Sequence, residues 1–384
     1  MKLIAKLNHC QYNFYFLVVD EFLDILASPQ LSNFHLIYSL KPQKLPLLNK
    51  QTVPHFCLAK HDKNPPKNSG KLLAHPQVID YINHTCRQNH RQPAIVFFKP
   101  SAKIDHICQQ QNWIKIGNSA AMARPLEDKI KFSQLCSKHH LPHPNHHIAK
   151  FNQTSYQKYQ NKNGLVIQTR FGWAGKNSYF SLKWDDIKDK ITINTPVKYS
   201  TYLPDSHTLT NNCCLGHCGL IQSPPALQIN GIKSLSSNPL ATVGRQWPNR
   251  SSKNINKKIE NITQKFGQIL QSIGFKGFFG LDFLIDHQQV YLQECNPRLT
   301  ASFAHYTQME TKQHITPLFY IHLATFLALD QELNIDQEQK RFTNTNIIGF
   351  QLNKKNQQGN TINQLNRFDW TPLNPTTINK LLKK

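Results

Sequence analysis

Four apolar runs organise the first third of the chain. Phe14–Val19 and Ala94–Phe98 are continuously apolar, and Phe34–Leu40 and Trp113–Ile116 are strand-like. A short apolar run such as Ala94–Phe98, stopped by Lys99-Pro100, fits a parallel strand buried on both faces. Val78–His84 and Ile104–Gln111 between them predict helices, and the Pro- and Lys-rich stretch Asn64–Ser69 predicts a loop. Strand–helix–strand order is the grammar of a βαβ unit, expected over residues 1–117.

From Asn118 the pattern changes. Glu127–His140 predicts a helix that Leu141-Pro-His-Pro144 stops. Leu165–Thr169 and Tyr179–Leu182 predict strands around a turn at Phe171–Lys176. Val197–Leu203 and Thr208–Leu215 alternate like strands, interrupted by Pro204-Asp205. The strongest helical signal is Ile255–Ile273. Ile259, Ile262, Phe266, Ile269 (or Leu270) and Ile273 recur every three or four residues, and Gly274 stands where a C-cap belongs. Beyond about residue 331 the chain is polar, rich in Asn and Gln, and poorly periodic, as in a tail or small appended element. The expected division is 1–117, 118–330 (with about 150–205 as a lid-like subdomain) and a C-terminal extension, 331–384.

Composition narrows the classes. A chain of 384 residues, 39% hydrophobic and 10% aromatic, can bury cores in two or three domains. It has no low-complexity repeat or sustained heptad, which excludes disorder, collagen and coiled coil. Lys and Arg number 45 against 22 Asp and Glu, a net charge of +23. Such a field favours anionic ligands such as nucleotides. The basic residues are spread along the chain without an aromatic-interleaved motif, so no specific nucleic-acid site is expected. Nine scattered cysteines, an odd number, argue against a disulfide framework and for a reducing, cytoplasmic setting. No apolar run nears 18 residues, so no membrane span is expected. Cys213-Cys214-Leu-Gly-His217-Cys218 has zinc-ligand residue types, but adjacent cysteines on one strand point to opposite faces.

The chemistry concentrates in one hairpin. Phe278–Asp286 and Val290–Arg298 are β-rich runs separated by His287-Gln-Gln289. Pairing Asp286 with Val290 places Leu284 opposite Leu292 and Asp282 opposite Glu294. Two facing carboxylates lie ~5 Å apart and repel unless a cation sits between them. Period two puts Asn296 on the face of Glu294 and turns Cys295 away. Two carboxylates and an amide oxygen are hard ligands suited to Mg²⁺, and Arg298 follows, placed to hold a phosphate oxygen.

These residues match a known pattern. Gly-Leu-Asp-Phe-Leu-Ile-Asp286 and Tyr-Leu-Gln-Glu-Cys-Asn-Pro-Arg298 resemble the metal hairpin of the ATP-grasp superfamily, the carboxylate–amine ligases related to biotin carboxylase and carbamoyl phosphate synthetase. Asn118–Lys129 with Leu-Pro-His-Pro144 resembles the entry to its ATP-binding domain. Leu165–Phe180 is similar to its strand and mobile glycine loop, and Val197–His207 to its adenine-binding hinge. The resemblance implies an α/β (α+β) ATP-grasp fold with an N-terminal βαβ-type preATP domain. It assigns Asp282, Glu294 and Asn296 to Mg²⁺ (or Mn²⁺), and Arg298 to the transferred phosphoryl group. Lys129 is assigned to the α/β-phosphates. Gln168, Arg170, Gly172, Gly175, Lys176 and Ser178 fall in the phosphate-covering strand and loop, Thr201, Tyr202 and Leu203 at the base, and His207 near the ribose. Gln168 stands where the family usually carries a Lys, and glycines are fewer after Gly175; Arg170 and Lys176 are the cations offered in compensation.

The implied activity is an ADP-forming ligase. Mg²⁺-ATP activates a small-molecule carboxylate as an acyl-phosphate, which an amine or amino-acid-like substrate then attacks. The alternative is a non-catalytic or regulatory ATP-binding protein of the same fold. A homodimer is left open.

Overall fold

The apolar runs near the N-terminus lie side by side in the computed structural model, which describes residues 2–19, 30–42, 47–48, 51–172, 175, 177–238, 240–344, 346–356 and 361–381. β1 (Tyr12–Val18) pairs with β2 (Phe34–Tyr38). β3 (Leu47–Leu48) and β4 (Gln51–Thr52) form a separate small pair. β5 (His55–Cys57), β6 (Gln92–Phe97) and β7 (Ile114–Ile116) complete a parallel sheet of order β5–β2–β1–β6–β7. Parallel neighbours need crossovers, and the helices Pro76–Asn89 and Ala102–Gln110 supply them. Ser101 caps the second by accepting from the Ile104 amide at 3.2 Å. Alternation then sorts the strand residues. Tyr15, Leu17, Ile95 and Phe97 bury against Val78, Ile82, Ile104 and Ile107. Phe14, Phe16 and Phe34 face the other way and share a core with Phe303 and Phe319. The Phe16 and Phe303 rings meet at 5.8 Å, so the N-terminal unit is packed directly onto the rest of the chain.

The helix expected at 127–140 is Lys129–Lys138, and a separate helix that was not expected, Ala120–Glu127, runs up to it. Asp128 lies between them in extended conformation and accepts from the amides of Ile130 (3.1 Å) and Lys131 (3.3 Å). Its carboxylate thus restarts the helix at Lys129.

A second sheet is antiparallel: β8 (His146–Lys150), β9 (Leu165–Thr169), β10 (Ser178–Ser181) and β11 (Pro196–Thr201), in the order β10–β9–β11–β8. Leu165, Ile167, Val197 and Tyr199 pack on Phe151 and Tyr156. Period two therefore turns Val166, Gln168, Lys198 and Ser200 to the opposite face.

The third and largest sheet contains β12 (His207–Gly216), β13 (Gly219–Gln222), β14 (Ala226–Asn230), β15 (Thr242–Trp247), β16 (Gly277–Asp286), β17 (Gln289–Asn296), β18 (Gly349–Lys355) and β19 (Thr361–Arg367). Its order is β17–β16–β12–β14–β15–β18–β19, with β13 paired to β12. The helix Lys253–Ser272 covers one face. Ile255, Ile259, Ile262, Phe266 and Leu270 bury against Phe279, Leu281, Phe283 and Ile285. The other face carries Phe278, Cys214 and Trp247 against the helices Phe303–Lys312 and Leu318–Phe326. Cys213 and Cys214 accordingly lie buried in different cores, and among the described residues no three His, Cys, Asp or Glu side chains cluster as a metal site would need. The polar C-terminal extension is a continuation of this sheet, with β18 seated on β15 and β19 at the edge. None of the described helices is long and apolar enough to cross a membrane.

Candidate active site

The polar face of the second sheet and one face of the large sheet enclose a single cleft. Its lining includes Lys129, Gln168, Gly172, Gly175, Ser178, Thr201, Tyr202, Leu203, Asp282 and Glu294 of the residues named from sequence. Arg170, His207, Asn296 and Arg298 lie outside this lining. Lys176 falls outside the described residues.

Asp282 on β16 and Glu294 on β17 are cross-strand neighbours, by a route the sequence did not show. The turn is the two residues His287-Gln288, with His287 at φ 50°. From there Asp286 pairs with Gln289 and Leu284 with Tyr291, one step away from the expected Leu284–Leu292 pairing. A β-bulge between Asp282 and Phe283 takes up the step. The extra residue is Gln293, which lines the cleft.

The pair carries concentrated negative charge. Burial, then repulsion from Glu294, raises the Asp282 carboxyl to about 6. Gln228 donates to Asp282 Oδ1 at 2.9 Å, and Asn296 donates to Oδ2 at 3.4 Å. Glu294 is ion-paired with Lys129. Lys129 opens its helix, and its amide donates to the Arg170 carbonyl at 2.8 Å. Two facing carboxylates with one raised carboxyl, and an amide beside them, are a donor set that suits Mg²⁺.

Arg170 does not reach the cleft because it is bound to Asp128, with Nε donating at 2.7 Å. It joins the end of β9 to the cap of the Lys129 helix. Arg298 is also engaged. Its Nε donates to Glu127 at 2.9 Å, one terminal nitrogen to the Leu299 carbonyl at 2.9 Å, and the other to Asn296 Oδ1 at 3.0 Å. Lys99, from the N-terminal unit, shares Glu127 at 2.8 Å, and the Arg298 guanidinium lies 4.8 Å from the Phe98 ring centre. Burial works against the Glu127 carboxylate, but Arg298 and Lys99 hold its pKa below the usual value. Asn296 therefore links the carboxylate pair to Arg298, and Arg298 to the N-terminal unit.

At the other end, Tyr202 and Leu203 leave β11, with the Tyr202 amide donating to the Gly164 carbonyl at 3.1 Å. Val166, Leu203, Leu240 and Leu284 make this end apolar. His207 starts β12 exposed; its neighbour Thr208 takes the cleft side. Gly175, at φ +82°, packs so closely on the β14–β15 connection that a Cβ there would sit 2.7 Å from the Leu240 oxygen. Asn238 holds its carbonyl at 3.1 Å.

The cleft residue that sequence reasoning passed over is Lys198. It lies on β11 directly opposite Gln168 on β9, 2% exposed. Burial first, then Lys129, push its pKa down to about 7. The signal was available: period two places Lys198 on the face of Ser200, within a strand otherwise apolar enough to be buried.

Comparison with known proteins bears on the fold. Residues 227–302 match the family model of the ATP-grasp domain. No curated protein matches the chain by sequence. Among solved structures, N5-carboxyaminoimidazole synthetase from Staphylococcus aureus, complexed with ADP, superimposes with a TM-score of 0.63 at 13% identity, covering 98% of this chain and 98% of that one. Biotin carboxylase from Campylobacter jejuni gives 0.61 at 13% identity, covering 89% of this chain and 75% of that one. Pyruvate carboxylase from Rhizobium etli gives 0.62 at 14% identity, covering 88% of this chain, which spans only 31% of that much longer one. By topology and by these similarities the chain has the ATP-grasp fold.

Proposed function

We propose that the protein is an ATP-dependent, ADP-forming ligase that activates a small-molecule carboxylate as an acyl-phosphate for attack by an amine. The observation that carries this reading is the facing pair Asp282 and Glu294, with Lys129 on Glu294, closing one end of a cleft whose other end is apolar. That arrangement suits a nucleotide with its base at Leu203 and its phosphates at the carboxylates.

Asp282, Glu294 and Asn296 would hold Mg²⁺, which when bound neutralises phosphate charge. The remaining roles belong to the side chains. Lys129, which lines the cleft beside Glu294, balances the carboxylate and would reach phosphate oxygens. Gly172 and Gly175 let backbone approach the phosphates closely. Arg298 stands at the far side of Asn296, next to Leu299 and Thr300, where an acceptor carboxylate would sit. Phosphoryl transfer needs positioning and charge neutralisation more than a general base, and these residues supply that.

The test is ADP release from Mg²⁺-ATP in the presence of pooled amino acids, dipeptides and small carboxylates, with Glu294→Gln as control. Substrate-dependent release, lost in the control, supports the ligase. Tight Mg²⁺-ATP binding without release by any pool favours the regulatory alternative.

A further inference from the structure

An unpaired cation inside a protein calls for an explanation, because an ammonium out of water is costly unless something answers its charge. Lys198 is such a cation. It is 2% exposed, and among the described residues it has no hydrogen-bond or ion-pair partner. Cys136 is close enough to interact with it electrostatically, and Lys198 lines the cleft. The other lysine of this region, Lys129, is already committed to Glu294.

Its position has a second feature. β9 and β11 pair in a register that sets Lys198 opposite Gln168, and β9 and β10 in one that sets Gln168 opposite Ser178. The three side chains form a row across the sheet, facing the cleft. Gln168 turns away from the lysine, donating to Ser178 Oγ at 3.0 Å. Nothing in the row neutralises the ammonium, Glu294 across the cleft lining offsets it only in part, and Gly172 and Gly175 line the same cleft.

We propose that Lys198 is a phosphate-binding residue of this cleft, delivering from β11 the positive charge that Gln168 on β9 lacks. The inference rests on the nucleotide reading above. The ligand that answers the buried ammonium is the polyphosphate of a nucleoside di- or triphosphate. Because the lysine and the glutamine are cross-strand neighbours, the charge can sit on either strand and reach the same oxygens. The row is a phosphate platform in which strand identity is interchangeable.

The experiment measures Mg²⁺-ADP affinity by isothermal titration calorimetry and melting temperature by calorimetry, on the full chain. Lys198→Met removes a buried charge that the pull of Glu294 offsets only in part, so the free protein should melt at a higher temperature than the wild type. Its ADP affinity should fall at least ~10-fold, the scale of a lost charge-assisted hydrogen bond. The exchange variant Gln168→Lys/Lys198→Gln should recover most of that affinity. A structural lysine would give the opposite pattern, a lower melting temperature with affinity unchanged. That result, or failure of the exchange variant to recover binding, overturns the proposal and leaves the nucleotide reading standing. Absence of Mg²⁺-ADP binding by the wild type overturns both.

Discussion

Asp282 and Glu294 face each other only because a β-bulge between Asp282 and Phe283 absorbs a one-residue step set by the two-residue turn at His287. The bulge therefore brings two like charges together inside a half-buried cleft. Lys129 answers Glu294, but among the described residues Asp282 has no ion-pair partner of its own. Burial and Glu294 lift the Asp282 carboxyl from 3.8 to about 6, so at pH 7 its ionisation opposes folding. Stability from this group is lost as pH rises through that interval, the reverse of an ordinary salt-bridged aspartate. Asp282→Asn should then raise metal-free stability at pH 7 by on the order of 1 kcal/mol. It should also abolish the added stability that Mg²⁺ with ADP confers. Thermal melts with and without Mg²⁺-ADP check both halves, and a lower metal-free melting temperature would count against the repulsion.

Glu127 connects two parts of the molecule. Arg298 and Lys99 both bind it, and the Arg298 and Glu127 side chains are only 10% and 14% exposed. Glu127→Gln keeps the shape but leaves Arg298 without its counter-charge. The expected loss is ~2 kcal/mol, less than for a fully buried pair because some solvent reaches it. Urea denaturation measures this. Lys99→Ala, at a lysine about half exposed, should cost well under 1 kcal/mol. Equal effects from the two substitutions would show that Arg298 is not the partner that matters.

What the sequence revealed follows physical range. The helix Lys253–Ser272 was legible within two residues of its true start because its apolar stripe is local. β9 was read at its true bounds for the same reason. The Asp282–Glu294 pairing was reached from an incorrect register, since neither the shorter turn nor the compensating bulge leaves a pattern in hydropathy. Lys198 was missed because its meaning depends on β11 lying beside β9, about thirty residues away. The same limit hid β18 and β19. They are polar stretches whose strand character comes from pairing onto β15, not from their own periodicity. Arg170 was offered as a cleft cation, but the partner that diverts it, Asp128, is set by tertiary contact.

Acid should destabilise the protein steeply. His35, His143, His305 and His322 are buried, and burial is the leading cause that lowers them from 6.5 to about 4, 3, 4 and 3. Each stays neutral in the folded chain while the unfolded chain takes up a proton near pH 6.5. Their contribution is whole above pH 6.5 and is lost as pH falls toward the folded values. At pH 5 each forfeits ~2 kcal/mol. Urea midpoints at pH 7.5, 6 and 5 should fall progressively. In His322→Asn, which keeps an acceptor for the Phe278 amide without a titrating ring, the slope should be shallower. A midpoint unchanged between pH 7.5 and 5 would contradict the buried-histidine account.

Gly175 makes a prediction that separates binding from folding. It sits at φ +82°, where a side chain is strained, and its Cα faces the backbone of Leu240 and Ala241 with no room for a Cβ. Backbone cannot yield as a flexible side-chain end can, so Gly175→Ala must push the loop away from the β14–β15 connection. That connection borders the cleft, since Leu240 and Thr242 both line it. The described residues of the loop contribute nothing to the main buried clusters, so global stability should change by less than ~1 kcal/mol. Nucleotide affinity should fall ~10-fold, because the loop amides no longer close over the phosphates. Calorimetric titration with Mg²⁺-ADP beside a urea melt distinguishes the two effects. Full affinity in Gly175→Ala would mean that the loop does not need this close approach to hold the ligand.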